Sequence, residues 1–573
     1  MRRNASISLV LALAAALLLP AAGSAAKSFT FYGSGYGHGL GMSQYGAYGM
    51  ALDGSAFGGI LTHFYSGTHV KNAVDPPAIL RIGLTQSRQK IHVKSIAGPT
   101  TLRVGNRHNG PLVGEIPSGD EWTVRVHGKK YRVLDAQGDR VGGLDWGGVS
   151  TDLFATYEPD GARVHVPEGG ATYNRGYLEF NLYDCGDGAC QMRLILPVEP
   201  QGYLYGLAEV PSSWPQAALR AQAVAARTYA FSKAESSQHR KPCNCALYDS
   251  SLDQVYIGWN KENGLDGDLW VDAVDATDGK VVMYQGDVIQ AFYASSSGGY
   301  TENNENVWGG APIAWLRGVC DPGDYTGANP NKVWDETFTA AQLKSSLHPY
   351  TGSIGTVKGF TNYKRGVSGR IETVKVKGGL GSAVVTGTEL RAALGLRDDR
   401  VWINKNKNVT GAIRAEYDDL MCAPGLPATP SFNDVGGNHQ RFAVGTIYHT
   451  DAAKLTVWLR GAIDGEYTAV DGPDGVLGLP LTGLITITGA PGCAGGACRR
   501  VTFEGGRIYR KTSVGAFALW GDVLDTYLGA GGAKGDLGFP TSRVVEPGDG
   551  SSSATFEHGA IDCPSGGGAC TVS

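Results

Sequence analysis

Beyond residue 19 the sequence holds no apolar run approaching twenty residues, the length a helix needs to cross a bilayer. No membrane span is therefore expected after the first residues. Long runs of Lys or Arg are also missing, and the net charge is -4. That disfavours a nucleic-acid partner, whose phosphates call for clustered cations. No lysine follows a glycine-rich stretch in the manner of a P-loop. In "GYGHGLG", residues 35–41, the glycines alternate and Leu40 stands where a dinucleotide loop needs its last glycine, so phosphate cradling by this stretch is set aside.

What is present begins with Arg2 and Arg3, an apolar run over residues 7–19 and Ser24-Ala25-Ala26. This is the order of charge, apolar stretch and small cleavage residues found in an export signal. It predicts a signal peptide over residues 1–26 and a secreted chain. No cysteine stands at the cleavage site to accept a lipid.

In an exported chain the ten cysteines read as disulfides. Three pairs are close and bracket glycine: Cys185/Cys190, Cys493/Cys498 and Cys563/Cys570. Of the remaining four, Cys320 is expected to join Cys422. Cys243 and Cys245, in "HRKPCNC", then either form a small ring or, with His239, hold zinc.

The 573 residues suffice for roughly three or four domains, and 84 glycines with 26 prolines point to many turns and short strands. Residues 78–166 read as short β-rich runs ("AILRIGL", "KIHVKSI", "EWTVRVHG"), predicting small antiparallel sheets or a barrel-like module. "YLEFNLY" and "MRLILPV" are strand-like, and "WPQAALRAQAVAARTYAFSKA" is the clearest helix. Ser213 and Gln216 have the spacing of a capping box, and Pro215 fits the first turn. So apolar a helix is normally buried, and its Gln222, Arg227 and Thr228 then need internal partners. "DVIQAFYASSSGGYTENNENVWGG" is expected to be a strand running into an open polar loop, "TGTELRAALGL" a helix, and residues 411–435 a linker. The fold class is α+β: mixed β-rich modules around a core with a long buried helix.

A repeat follows. Phe442, Gly445 and Ile447 recur as Phe503, Gly506 and Ile508, and as Phe556, Gly559 and Ile561, while "LGLP" at residues 477–480 returns as "LGFP" at 537–540. Recurrence of a sparse apolar and glycine pattern predicts one stacked supersecondary unit, near sixty residues long with a truncated last copy.

"YLYGLAEVPSSWPQAALRAQAVAARTYA" closely resembles the core motif of the SpoIID/LytB family of bacterial cell-wall proteins. "FYASSSGGYTENNENVWGG", "TGTELRAALGL", "YGHGLGMSQYGAYGMA" and "ILTHFYSGT" are similar to further motifs of that family. The glycine-rich signature comes first here, whereas in the better-known members it follows the helix motif. A circularly permuted order is thus implied: a signature segment over 27–72, a β-rich module over 73–175 and a SpoIID-like core over 176–410. Residues 436–573 resemble LGFP repeats of actinobacterial cell-wall-associated proteins, which implies attachment to a wall polymer.

The first resemblance implies a lytic transglycosylase that cuts between N-acetylmuramic acid and N-acetylglucosamine. One carboxyl group there acts first as acid and then as base. Glu209 matches the family's catalytic glutamate and is expected in a strand-to-helix turn, where burial beside Leu207, Val210 and Trp214 would raise its pKa. By motif position His38, Gln44, Tyr45, Gln222, Arg227, Ser296, Ser297 and Tyr300 are expected to bind the glycan, and the bare backbone of residues 35–49 to form a cleft wall. The implied alternative is a non-catalytic, peptidoglycan-binding amidase enhancer, with an amidase as partner. No organic cofactor is implied.

Overall fold

The fold is that of a computed structural model describing residues 27–573 apart from 158–160 and 187; the export-signal reading of residues 1–26 falls outside the described residues. Helices and many strands in several small sheets make a β-rich α+β protein.

The segment before residue 73 is woven into elements hundreds of residues later. Strand Ser28–Gly33 lies between Trp334–Thr339 and Val401–Ile403, antiparallel to both. Met42–Ser43 runs parallel to Tyr293–Ala294, and His69–Asn72 pairs antiparallel with Lys280–Tyr284. Glycine permits this approach. At Gly41, with φ of +66°, a Cβ would overlap the carbonyl of Phe292, and at Gly37 it would press on the Ala294 methyl. The bare backbone thus admits the protein's own chain at close range, and only Tyr36, Gly37 and His38 of residues 35–41 reach a cavity wall.

Residues 80–198, with the edge strand Leu247–Tyr248 parallel to Leu80–Arg88, form two sheets over one core. The seven-stranded sheet includes Leu80–Arg88, Gln191–Val198, Leu178–Tyr183, Leu153–Thr156, Thr100–Val104 and Leu112–Ile116, and the five-stranded sheet is centred on Lys90–Ala97. Alternation in "EWTVRVH" buries Trp122, Val124 and Val126 on the shared face. The expected division at 175/176 runs through hydrogen-bonded sheet, because Leu80–Arg88 pairs with Gln191–Val198 and Leu153–Thr156 with Leu178–Tyr183.

Helix Gln216–Ser236 is buried over most of its surface. Leu219, Ala223, Ala226 and Ala230 face the sheet core, while Ala221, Val224 and Ala225 meet the N-terminal helices Gln44–Leu52 and Phe57–Phe64. Small side chains let layers close on both sides. The expected capping box is not formed: Pro215 is the N-cap, without a side-chain cap, and Gln216 Nε2 donates to the Leu269 carbonyl at 2.8 Å. A short helix, Pro200–Tyr205, precedes it, so Glu209 lies between two helices instead of after a strand. The strand expected from residue 287 is interrupted over 289–292 and shrinks to Asp287–Val288 and Tyr293–Ala294, because buried Ile289 and Ala291 pack into the apolar cluster beneath the N-terminal helices. Helix Gly387–Leu394 forms as expected, with a Thr386/Glu389 capping box. Among the described residues no helix is long and apolar enough to cross a membrane.

All five disulfides form: Cys185–Cys190, Cys243–Cys245, Cys320–Cys422, Cys493–Cys498 and Cys563–Cys570. The linker expected over 411–435 is corrected. It contains helix Gly411–Asp419, whose Ile413 and Tyr417 pack with Phe442, Ile447 and Trp458 around Cys320–Cys422. This helix opens the repeat. "GAIRAEY", "GAIDGEY" and "GDVLDTY" start helices Gly411–Asp419, Gly461–Ala469 and Gly521–Gly529, each followed by an antiparallel sheet. The rings of Tyr417, Tyr467 and Tyr527 rest on Phe442, Phe503 and Phe556. The last copy therefore keeps its helix, and the unit starts earlier than the phenylalanine pattern indicated.

Candidate active site

A cavity of about 560 Å³ opens where the N-terminal segment, the turn after Pro200–Tyr205, the loop around residues 251–255 and the chain over 292–295 converge. Glu209 lines it. Its Oε1 accepts a 2.6 Å hydrogen bond from the Val255 amide. Gln44 and the Tyr293 hydroxyl face the same carboxyl. Buried Gln254 donates through Nε2 to the Tyr293 oxygen at 2.8 Å, leaving the phenol's proton for the glutamate. These hydrogen bonds favour the ionised form, but burial outweighs them and raises the Glu209 pKa.

The other carboxyl lining the cavity, Asp253, is held differently. It accepts from Tyr229 and from the Tyr248 amide, both at 2.9 Å, and pairs with Arg240 and Lys233. Its side chain is 1% exposed. A carboxylate so compensated is a structural anchor, which leaves Glu209 as the carboxyl in this wall with no basic partner among the described residues.

Of the residues expected to bind glycan, His38 and Gln44 line the cavity. His38 Nδ1 accepts from the Leu40 amide at 3.0 Å, and its ring lies against Phe292 and Trp308. Burial, then the charges of Arg370 and Arg391, push its pKa down to about 4, so it is an uncharged hydrogen-bonding ring at neutral pH. Tyr45 stands outside the cavity wall with Tyr48 against Trp214, ring centroids 5.1 and 5.0 Å away.

The structure places the others in the framework. Gln222 is buried, with Oε1 accepting from Gln44 Nε2 at 3.3 Å. Arg227 donates to the carbonyls of Thr277, Lys280 and Val274 and to Gln201 within the core, away from the cavity. Ser296 and Ser297 donate to Asp324 and Asp321 at 2.8 and 2.6 Å, and Arg370 clamps the carbonyls of Ser297 and Tyr300 at 2.9 Å. These groups hold the chain whose Tyr293, Ala294 and Ser295 form the wall.

Asp253, Tyr229, Trp308 and Arg391 also line the cavity, and sequence reasoning did not single them out. Asp253 and Arg391 sit in "SLDQVYIG" and "ELRAALGL", where the available signal is a lone charge beside apolar residues for Asp253 and none beyond an ordinary helix charge for Arg391. In the alternative zinc set, Cys243 and Cys245 are joined to each other, so neither is a thiolate, and His239 Nδ1 contacts Asn244 Oδ1 at 2.6 Å. Among the described residues the one metal-like grouping is Cys320, Asp418 and Cys422, of which two form a disulfide.

Comparison with known proteins agrees with the resemblances read from the sequence. Residues 190–284, which contain Glu209 and the long helix, match the family model of the Stage II sporulation protein, SpoIID, and residues 477–535 match the LGFP repeat. The chain is 36% identical over 137 residues to an amidase enhancer of Bacillus subtilis (strain 168), covering 24% of this chain and 16% of that protein. It is 29% identical over 230 residues to Stage II sporulation protein D of the same organism, covering 38% of this chain and 64% of the relative. The corresponding figures for Stage II sporulation protein D of Bacillus amyloliquefaciens are 28%, 226 residues, 38% and 62%. The chain thus spans less than two thirds of the length of each of these relatives.

Proposed function

We propose that this chain, whose SpoIID and LGFP matches point to a cell-wall-related role, is a secreted lytic transglycosylase of peptidoglycan glycan strands. The observation that carries the reading is Glu209: a buried carboxyl with a raised pKa, facing a cavity and without a basic partner among the described residues. Such a group is protonated at a pH where an ordinary glutamate is not, and so can donate to the glycosidic oxygen. As the bond to the muramyl C1 breaks, the Glu209 proton passes to the leaving N-acetylglucosamine oxygen. The resulting carboxylate then takes the proton of the muramyl 6-hydroxyl, whose oxygen closes on C1 to give the 1,6-anhydro ring. One carboxyl serves both steps without water, in keeping with a wall whose second carboxyl is neutralised by Arg240 and Lys233. The cavity of about 560 Å³ is the size of a site for one or two sugar rings, with Trp308 and Tyr36 offering apolar faces and His38 and Gln44 hydrogen bonds.

The test is mass spectrometry of products from purified peptidoglycan, intact and amidase-treated. The reading requires 1,6-anhydromuramyl ends from the full chain and at least about a hundredfold fewer from Glu209→Gln. A second reading, a non-catalytic amidase enhancer, draws on the 36% identity to a protein of that name. It requires that both forms leave glycan uncut while stimulating a wall amidase.

A further inference from the structure

Between the first and second repeat units a second cavity, of about 450 Å³, is lined by Arg460, Arg499 and Arg510. Arg499 and Arg510 stand directly opposite each other on strands Cys498–Thr502 and Gly506–Lys511, a placement in which like charges repel. Across the opening, Arg460 is the N-cap of helix Gly461–Ala469, stacked on the Trp458 ring at 4.0 Å. That helix has no side-chain cap, and its first three residues, Gly461, Ala462 and Ile463, line the same cavity. No acidic residue lines it, and among the described residues none of the three arginines forms an ion pair. Nε of Arg499 is buried without a partner.

The corresponding place between the second and third units is different. There Trp520 and Gly521 stand where Arg460 and Gly461 do, beside Asp522 and Glu546, and Trp520 Nε1 donates to Glu546 at 2.7 Å. The basic cavity is therefore particular to one junction and does not follow from the repeat geometry.

We infer that this cavity is a binding site for a phosphate group carried on a cell-wall polymer. Two neighbouring guanidinium forks on one sheet, a third beside the Trp458 ring and a helix N-terminus line one cavity, which suits the several oxygens of a tetrahedral phosphate. A carboxylate's two oxygens are satisfied by a single fork. The volume exceeds that of the anion and leaves room for the sugar or polyol on either side of a phosphodiester. The inference rests on the reading of the repeats as wall-binding and specifies what they bind.

The experiment compares the full-length protein with Arg499→Gln/Arg510→Gln on isolated walls, native and stripped of phosphodiesters by hydrofluoric acid, with soluble glycan added to occupy the Glu209 cleft. Retention of the wild type on native walls is expected to exceed that of the variant about tenfold or more, the scale of losing charge-assisted hydrogen bonds. Stripping should bring the wild type down to the variant. Poly(glycerol phosphate) should release the wild type at phosphate concentrations where inorganic phosphate does not. The variant should melt no lower than the wild type, because it relieves a like-charge pair. Equal retention of the two proteins, or wild-type retention unchanged by stripping, overturns the assignment while leaving the wall-binding reading intact. Release by inorganic phosphate at equal concentration overturns the polymer as the source. Failure of the wild type to bind native walls defeats the wall-binding reading itself.

Discussion

The Val255 amide donates a 2.6 Å hydrogen bond to Oε1 of Glu209, in a carboxyl that Tyr293 and Gln44 also face. Replacing Glu209 by Gln keeps the acceptor for Val255 and removes only the acid. Turnover on amidase-treated glycan should fall by about 10²–10⁴, the usual contribution of a general acid-base group, with an unchanged melting temperature.

The pH profile of the wild type follows from the same burial. Because the Glu209 pKa is raised, its acid form persists above the ordinary glutamate range and is lost as pH rises through the shifted value. Turnover should therefore hold at mildly acid pH and decline on the alkaline side. A rate independent of pH over the range from 4 to 9 would place the acid elsewhere.

Asp321 and Asp324 lie fully buried beneath the cavity wall, and burial followed by the neighbouring carboxyl raises the Asp321 pKa. The folded state then keeps a proton that the unfolded chain releases at ordinary carboxylate pH. Between those two values stability falls as pH rises. Thermal melts should show that decline, and Asp321→Asn, which is neutral at every pH, should flatten it.

Gly41→Ala tests how tightly the N-terminal segment is seated. The new methyl would overlap the Phe292 carbonyl at a residue with φ of +66°, combining a left-handed backbone cost of about 1–2 kcal/mol with a clash against main chain. We expect destabilisation by roughly 2–4 kcal/mol and loss of activity, since Phe292 and its neighbours form the cavity wall.

A chain ending at residue 435 should melt earlier than the full chain. Its removal uncovers Ile413 and Tyr417, which Phe442, Ile447 and Trp458 cover, and each large apolar side chain so exposed costs about 1.5–3 kcal/mol. A melt of the remaining core identical to that of the intact protein would mean that the tail is an independent body.

Local signals carried far in this sequence. The disulfide partners close in sequence, the alanine-rich helix and helix Gly387–Leu394 are legible because each depends on residues within a turn or two of one another, whereas Glu209 stands out in the sequence only through the family resemblance of its motif. The repeat was legible in part. Its phenylalanine and glycine periodicity is visible, but the helix over Gly411–Asp419 hides in a stretch that runs into linker-like Pro and Gly, although "GAIRAEY" echoes "GAIDGEY".

What the sequence determined by itself was the set of elements and the chemistry available to them: periodicity, turn residues and cysteine spacing act over short stretches of chain. The tertiary structure alone decided which polar groups face open space. Arg227, Ser296 and Ser297 share motifs with the cavity wall yet turn inward, because buried carbonyls and carboxylates there must be paired. Glu209 and Asp253 are two carboxylates in one wall, and only the arrival of Arg240 and Lys233 at Asp253 distinguishes them. Partners so distant from the wall's other segments are brought together by packing, whose outcome no local pattern encodes.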